Sequence, residues 1–253
     1  MNKIDKKDEI KNAGNIIKID ACGMQCPGPV MKLAETIKKM KEGEYLEIST
    51  TDCGFGSDIE GWCQTTGNTL INVENNGKTV KAVIQKGKYA PDKSANQANA
   101  QTIVVFSNDL DKVIASMIIA NGAKASGKEV TLFFTFWGLN VLRKPKAGST
   151  DKSFLDKMFS MMMPKGADKL VLSKLNMLGL GTLMMKYVMK KKNVVSLNEL
   201  IDQALKNGVK FIACTMSMDI MGIKKEELID GIEYAGVAKY ISESDKANSN
   251  LFI

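Results

Sequence analysis

The chain has 253 residues, 44% of them apolar and 25% charged, and a net charge of +7; this is the profile of a globular protein with enough apolar side chains for one large core or two modest ones. It contains no histidine, which excludes Ser-His and Cys-His nucleophile pairs and removes the commonest ligand of catalytic zinc. Five cysteines without framework spacing, and a charged N-terminal stretch lacking an apolar signal core, predict a reducing, cytoplasmic setting in which thiols stay free.

In chain order, residues 1–14 read as a solvated tail and residues 15–87 as the first compact unit. Ile16–Asp20 predicts a short strand. Val30, Leu33, Ala34, Ile37 and Met40 repeat at helical spacing behind Pro27, which suits a first helical turn, and Gly43 ends the run. Tyr45–Thr50 predicts a strand and Ser57–Gly67 a second helix. Leu70–Asn75 and Thr79–Gln85 predict two strands joined at Asn76-Gly77, a strong hairpin signal. The order β-α-β-α-β-β predicts a two-layer α/β sandwich.

Residues 88–100 are rich in Ala, Asn and Lys, contain Pro91, and read as a linker. Residues 101–253 form the second predicted unit. Thr102–Phe106, Val130–Thr135, Lys210–Thr215 and Ala235–Ile241 read as strands. Leu110–Ala125 and Lys224–Ile232 read as helices. Near-continuous apolar strands alternating with helices predict a parallel sheet covered on both faces. Residues 145–193 interrupt this alternation as a Met/Lys-rich helical insertion.

The candidate chemistry begins with Cys22-Gly-Met-Gln-Cys26-Pro-Gly-Pro29. Cys26 directly precedes a proline-initiated helix, whose free N–H groups and dipole stabilise a thiolate. With Asp20, Gly23, Pro27 and Pro29, then Asp58-Ile-x-Gly-Trp-Cys63 and a closing strand ending in Lys86-Gly87, residues 16–87 resemble the TusA/SirA-like sulfur carriers. The resemblance implies that Cys26 accepts sulfur as a persulfide and passes it on. Cys22 departs from the family pattern; it either resolves the persulfide as a Cys22–Cys26 disulfide or is a bystander. Asp58 and Cys63 are accessory candidates, although the favoured reading of Cys63 is a half-buried small hydrophobe. The spacing of Cys22, Cys26, Cys53 and Cys63 matches no zinc pattern, and neither a metal nor a cofactor is expected.

In the second unit, Cys214 ends an apolar strand within Ala213-Cys-Thr-Met-Ser-Met-Asp219. Carboxyl ends of strands are where open α/β sheets gather reactive groups; a buried strand cysteine is the bland alternative. These residues, with Thr102–Phe106, Asp109 and Phe133-Phe-Thr-Phe-Trp-Gly-Leu-Asn140, resemble the DsrE/DsrF-like superfamily. The resemblance implies a flavodoxin-like α/β fold and sulfur handling through Cys214. Phe136-Trp137-Gly138-Leu139-Asn140 is a candidate wall for the thiol pocket or ordinary core.

Basic charge is concentrated: residues 143–192 hold 12 basic and 3 acidic side chains. The same stretch carries Met158, Met161, Met162, Met163, Met177, Met184, Met185 and Met189. It reads as a partner-docking surface, a peripheral membrane contact through residues 150–192, or an oligomer core with a solvated basic face. Aromatic interleaving is too thin to expect direct nucleic-acid binding.

Together these features predict a sulfur-relay protein. Its expected partners are an upstream donor of the cysteine desulfurase or rhodanese type and a thiol acceptor protein, with a homo-oligomer expected. A thiol redox or regulatory protein using Cys22 and Cys26, and a selenium-handling carrier, are the alternatives.

Overall fold

The computed structural model describes residues 16–24, 27–52, 55–87, 99–145, 152 and 154–253. The tail expected at 1–14 and most of the linker expected at 88–100 lie outside them. The chain divides into two compact units.

In the first unit the elements are β1 (Ile17–Ala21), α1 (Gly28–Lys39), β2 (Tyr45–Thr50), α2 (Phe55–Thr66), β3 (Thr69–Asn75) and β4 (Val80–Gln85). The sheet order is β1-β2-β4-β3, with β1 parallel to β2 and the other pairs antiparallel. Leu46 and Ile48 of β2 and Ala82 and Ile84 of β4 are fully buried and form one core with Leu33, Ile37, Ile59 and Trp62 of the two helices. Alternate β2 residues are only half-buried, so one face of the sheet packs on helices, as the period-2 pattern requires. The hairpin turns at Asn76-Gly77, where Gly77 takes φ +80° and the Asn76 side chain accepts the N–H groups of Lys78 and Thr79. Lys86 donates to the carbonyls of Ile37 and Met40, closing the C-terminus of α1. A Cβ on Gly87 would lie 1.8 Å from the Gly67 carbonyl oxygen. The Lys86-Gly87 pair is therefore structural.

The second unit contains β5 (Ala100–Val105), α3 (Leu110–Ala125), β6 (Glu129–Phe134), a 3-10 turn (Phe136–Leu142), α4 (Phe154–Met162), α5 (Leu180–Lys191), α6 (Leu197–Lys206), β7 (Lys210–Cys214), α7 (Thr215–Ile220), β8 (Glu233–Ala235), α8 (Val237–Ser244) and β9 (Ser249–Phe252). Its five strands are all parallel, in the order β8-β7-β6-β5-β9. Right-handed crossovers explain how the helices divide. From β5 to β8 the chain steps in one direction, which puts α3, α6 and α7 on one face. The return from β8 to β9 crosses the sheet the other way, so α8 lies on the opposite face.

Several elements differ from the sequence-based expectation, the unforeseen helix α6 (Leu197–Lys206) among them. Ala235–Ile241 is not a strand: β8 stops at Ala235, and Val237, Tyr240 and Ile241 share one side of α8. Lys224–Ile232 is not a helix but holds only a 3-10 turn, Lys225–Glu227, anchored by Glu227. Strand β9, unforeseen, completes the sheet. Pro27, expected in the first turn of α1, occupies its N-cap position instead.

Glu227 is the centre of a buried ion cluster. Its carboxylate accepts from Arg143 Nη2 at 3.0 Å and from Lys152 Nζ, and Arg143 Nη2 also reaches Ser160 Oγ at 2.6 Å. Arg143 and Glu227 expose 2% and 4% of their surface. The cluster ties the insertion to the end of the sheet.

Candidate functional site

In the first unit β1 and β2 end together, with Ala21 opposite Thr50. The chain leaves the sheet at that end twice, entering α1 at Gly28 and α2 at Phe55. Two helix N-termini therefore start from one edge. Cys26 belongs to this stretch of the sequence but lies outside the described residues, as do Gln25, Cys53 and Gly54. The ground on either side is well defined. Pro27, Gly28 and Pro29 are buried at the start of α1, and a Cβ on Gly28 would come within 3.2 Å of Met24 Cβ. Upstream, Gly23 N–H donates to Thr51 Oγ1 at 2.8 Å, and Lys32 Nζ donates to the Asp20 carbonyl at 2.6 Å.

Cys22 is exposed and free. The Asp20 carboxylate accepts its backbone N–H at 2.8 Å and its thiol hydrogen. That thiol hydrogen bond pushes the Cys22 thiol above its ordinary range and holds the Asp20 carboxyl below its own. A proton shared this way stays on sulfur, so Cys22 is a poor thiolate. Asp58 sits in the first turn of α2; burial, then the nearby Asp52 charge, raises its carboxyl. Cys63 is 2% exposed within the core, and burial pushes its thiol up to about 12. It packs as a small hydrophobe and is not at the edge where the helices begin.

Cys214 closes β7 and caps the short α7. It is 3% exposed. Side chains alternate across the sheet, so Cys214 shares a face with Ile212, Phe133 and Val104, and these four form their own small core with Ala235 and Tyr240. The cover over this core is α8, none of whose residues is buried. The Phe136–Asn140 segment does not wall the thiol. Phe136 and Leu139 belong to the large core on the other face, and Gly138 is wedged against β5, where a Cβ would lie 2.0 Å from the Val105 carbonyl oxygen. Trp137 is half exposed. Sequence reasoning missed Tyr240, which packs against the small core that holds Cys214; the 237, 240, 241 spacing was its only signal. Among the described residues no group of three or more cysteine or carboxylate side chains could hold a metal ion.

Residues 97–252 match the DsrE/DsrF/DrsH-like family model. The chain belongs to the DsrE/DsrF/DrsH-like family. Its first unit, residues 17–86, matches the model of the sulfurtransferase TusA. The DsrE-like unit is similar to YrkE of Bacillus subtilis, 54% identical over 157 residues, 62% of this chain and 98% of YrkE. It is also similar to the sulfur carrier protein DsrE2 of Allochromatium vinosum, 38% identical over 156 residues, 60% of this chain and 96% of DsrE2. Both units together are similar to MJ0760 of Methanocaldococcus jannaschii, 24% identical over 267 residues, 98% of this chain and 82% of MJ0760.

Proposed function

We propose that the protein is a sulfur carrier that holds sulfane sulfur as a persulfide on Cys26 and passes it to Cys214 or to the thiol of an acceptor protein. The observation that carries this reading is the union in one chain of a TusA-type unit and a DsrE-like unit related to a sulfur carrier protein. Cys26 stands in the sequence immediately before Pro27, the N-cap of α1, and a cysteine that precedes a helix start is favoured as thiolate. Cys214 stands at the carboxyl end of a parallel strand, the end at which such sheets carry their sites.

The transfer needs no cofactor. A donor of the cysteine desulfurase or rhodanese type loads Cys26. An acceptor thiolate then attacks the outer sulfur of the Cys26 persulfide. A new S–S bond forms to the acceptor, the Cys26 S–S bond breaks, and Cys26 leaves as thiolate while the persulfide proton travels with the outer sulfur. Oxidation state is conserved overall. Tethering both units in one chain raises the effective concentration of one thiol near the other. Cys214 is 3% exposed, so this thiol must be uncovered before it reacts.

The grip of Asp20 on the Cys22 thiol favours a carrier over a Cys22–Cys26 disulfide switch. The test is intact and peptide mass spectrometry after incubation with a persulfide donor. A carrier gains about 32 Da on Cys26, and on Cys214 if the relay is internal, whereas a disulfide switch loses about 2 Da. Uptake by Cys26→Ser equal to that of the unaltered protein overturns the proposal.

A further inference from the structure

We propose that residues 158–191 form a face that lies on an anionic lipid bilayer, with α5 in the plane of the interface. Helix α5 buries only Thr182, while Leu180, Leu183, Met184, Met185, Tyr187 and Val188 are 43–68% exposed. At 100° per residue, the exposed apolar positions of α5 span an arc of about 200°. Such a helix in water leaves its apolar side without a partner.

The turn before α5 adds to this face by construction. Leu175, Met177 and Leu178 all take left-handed φ, at 57°, 43° and 57°, an unfavourable conformation for such side chains. Leu175 is 81% and Leu178 108% exposed. The turn is held from within: Gly181 N–H donates to the Asn176 carbonyl at 3.0 Å, and Thr182 Oγ1 links the Asn176 side chain to the Leu172 N–H. A Cβ on Gly181 would lie 1.8 Å from the Leu175 carbonyl oxygen. The knuckle is therefore fixed so that its leucines point outward. Earlier in the same basic segment, Met161 and Met162 are 79% and 75% exposed. They line an open cleft of about 540 Å³ with Pro145, Val171, Lys165 and Lys169, apolar walls with two ammonium groups.

Charge selects the occupant. Residues 157–191 carry seven lysines and a single acidic residue, Asp168. Lys165, Lys169, Lys174, Lys190 and Lys191 are exposed. A second copy would set one such cationic face against another, whereas anionic headgroups complement it and acyl chains take the leucines and methionines. Among the described residues no helix is long and apolar enough to cross a membrane. The 12 residues of α5 reach about 18 Å, short of a bilayer core, so the geometry is that of a helix resting on the surface.

The test is flotation of the full chain with vesicles of phosphatidylcholine alone or mixed equally with phosphatidylglycerol. Binding is expected with phosphatidylglycerol, at least about tenfold weaker with phosphatidylcholine alone, and reduced by high salt. The double variant Leu175→Asp/Leu178→Asp is expected to lose binding at least about tenfold while keeping its circular dichroism. Hydrogen exchange of the unaltered protein provides a readout independent of that variant's folding, with slowing on vesicle addition confined to residues 158–191. No flotation with phosphatidylglycerol, or binding unchanged in a folded double variant, overturns the proposal. So does a concentration-dependent dimer that the double variant dissociates, which would make a second copy the occupant.

Discussion

The ring of Tyr240 packs on that of Phe133 with centroids 5.1 Å apart and planes at 34°, on the same face of the sheet as Cys214. Tyr240 is the contact through which α8 covers the smaller core. Truncating it removes an aromatic pair worth about 1 kcal/mol beyond its buried area and opens the route to the thiol. Tyr240→Ala is expected to lower stability modestly and to raise the rate of Cys214 modification by an aromatic disulfide reagent at least about tenfold. Peptide mapping of the labelled protein locates the adduct. An unchanged rate would show that α8 is not what limits access to Cys214.

Cys22 donates its thiol hydrogen to the Asp20 carboxylate and keeps the proton on sulfur. In Asp20→Asn the acceptor is weaker and carries no charge, so the thiol falls back toward its ordinary range. The pH profile for alkylation of Cys22 is expected to move to lower pH, with a several-fold faster rate at pH 8. The same substitution should make a Cys22–Cys26 disulfide easier to form, because the attacking species is the thiolate. A superimposable pH profile in the variant would mean that the hydrogen bond does not govern this thiol.

Cys63 should behave in the opposite way to an exposed thiol. With its thiol pushed up to about 12, only about one molecule in ten thousand is ionised at pH 8, and 2% exposure blocks reagents as well. Iodoacetamide is expected to spare Cys63 in the native protein and to label it only after unfolding. Cys63→Ala should load sulfur as well as the unaltered protein does, at a stability cost of about 1 kcal/mol. Loss of loading in a folded Cys63→Ala would return this residue to the site.

Much of this architecture is legible in the sequence where local signals are long or strong. Leu110–Ala125 was readable as one helix from its length and apolar spacing, and Asn76-Gly77 announced its hairpin. The seven residues 235–241 were not readable, because a short apolar run does not distinguish strand from helix. The helix α6 passed unnoticed although its capping box, Ser196 with Glu199, is a recognisable start signal. The cover over Cys214 depends on the direction in which the chain crosses from β8 to β9, which no local pattern encodes. The same is true of Arg143 and Glu227, 84 residues apart and individually ordinary charged residues until the fold buries them together.

That buried cluster makes the last prediction. Burial alone would raise the Glu227 carboxyl, but hydrogen bonds from Lys152, the Lys224 backbone and Arg143 outweigh it, so the group sits below its ordinary 4.5. A carboxyl held low in the folded state binds fewer protons there than in the unfolded chain. Its contribution is therefore fully present above about 4.5 and is lost as pH falls through the lowered folded value. Glu227→Gln keeps the shape but leaves Arg143 and Lys152, both nearly sealed from solvent, without a counter-charge. Breaking one side of a buried ion pair costs about 3–5 kcal/mol. Urea unfolding at pH 7 should show a loss of that size, and the difference between variant and unaltered protein should shrink as the medium is acidified below pH 4.5. A difference independent of pH would mean that the loss comes from packing around residue 227 and not from its charge.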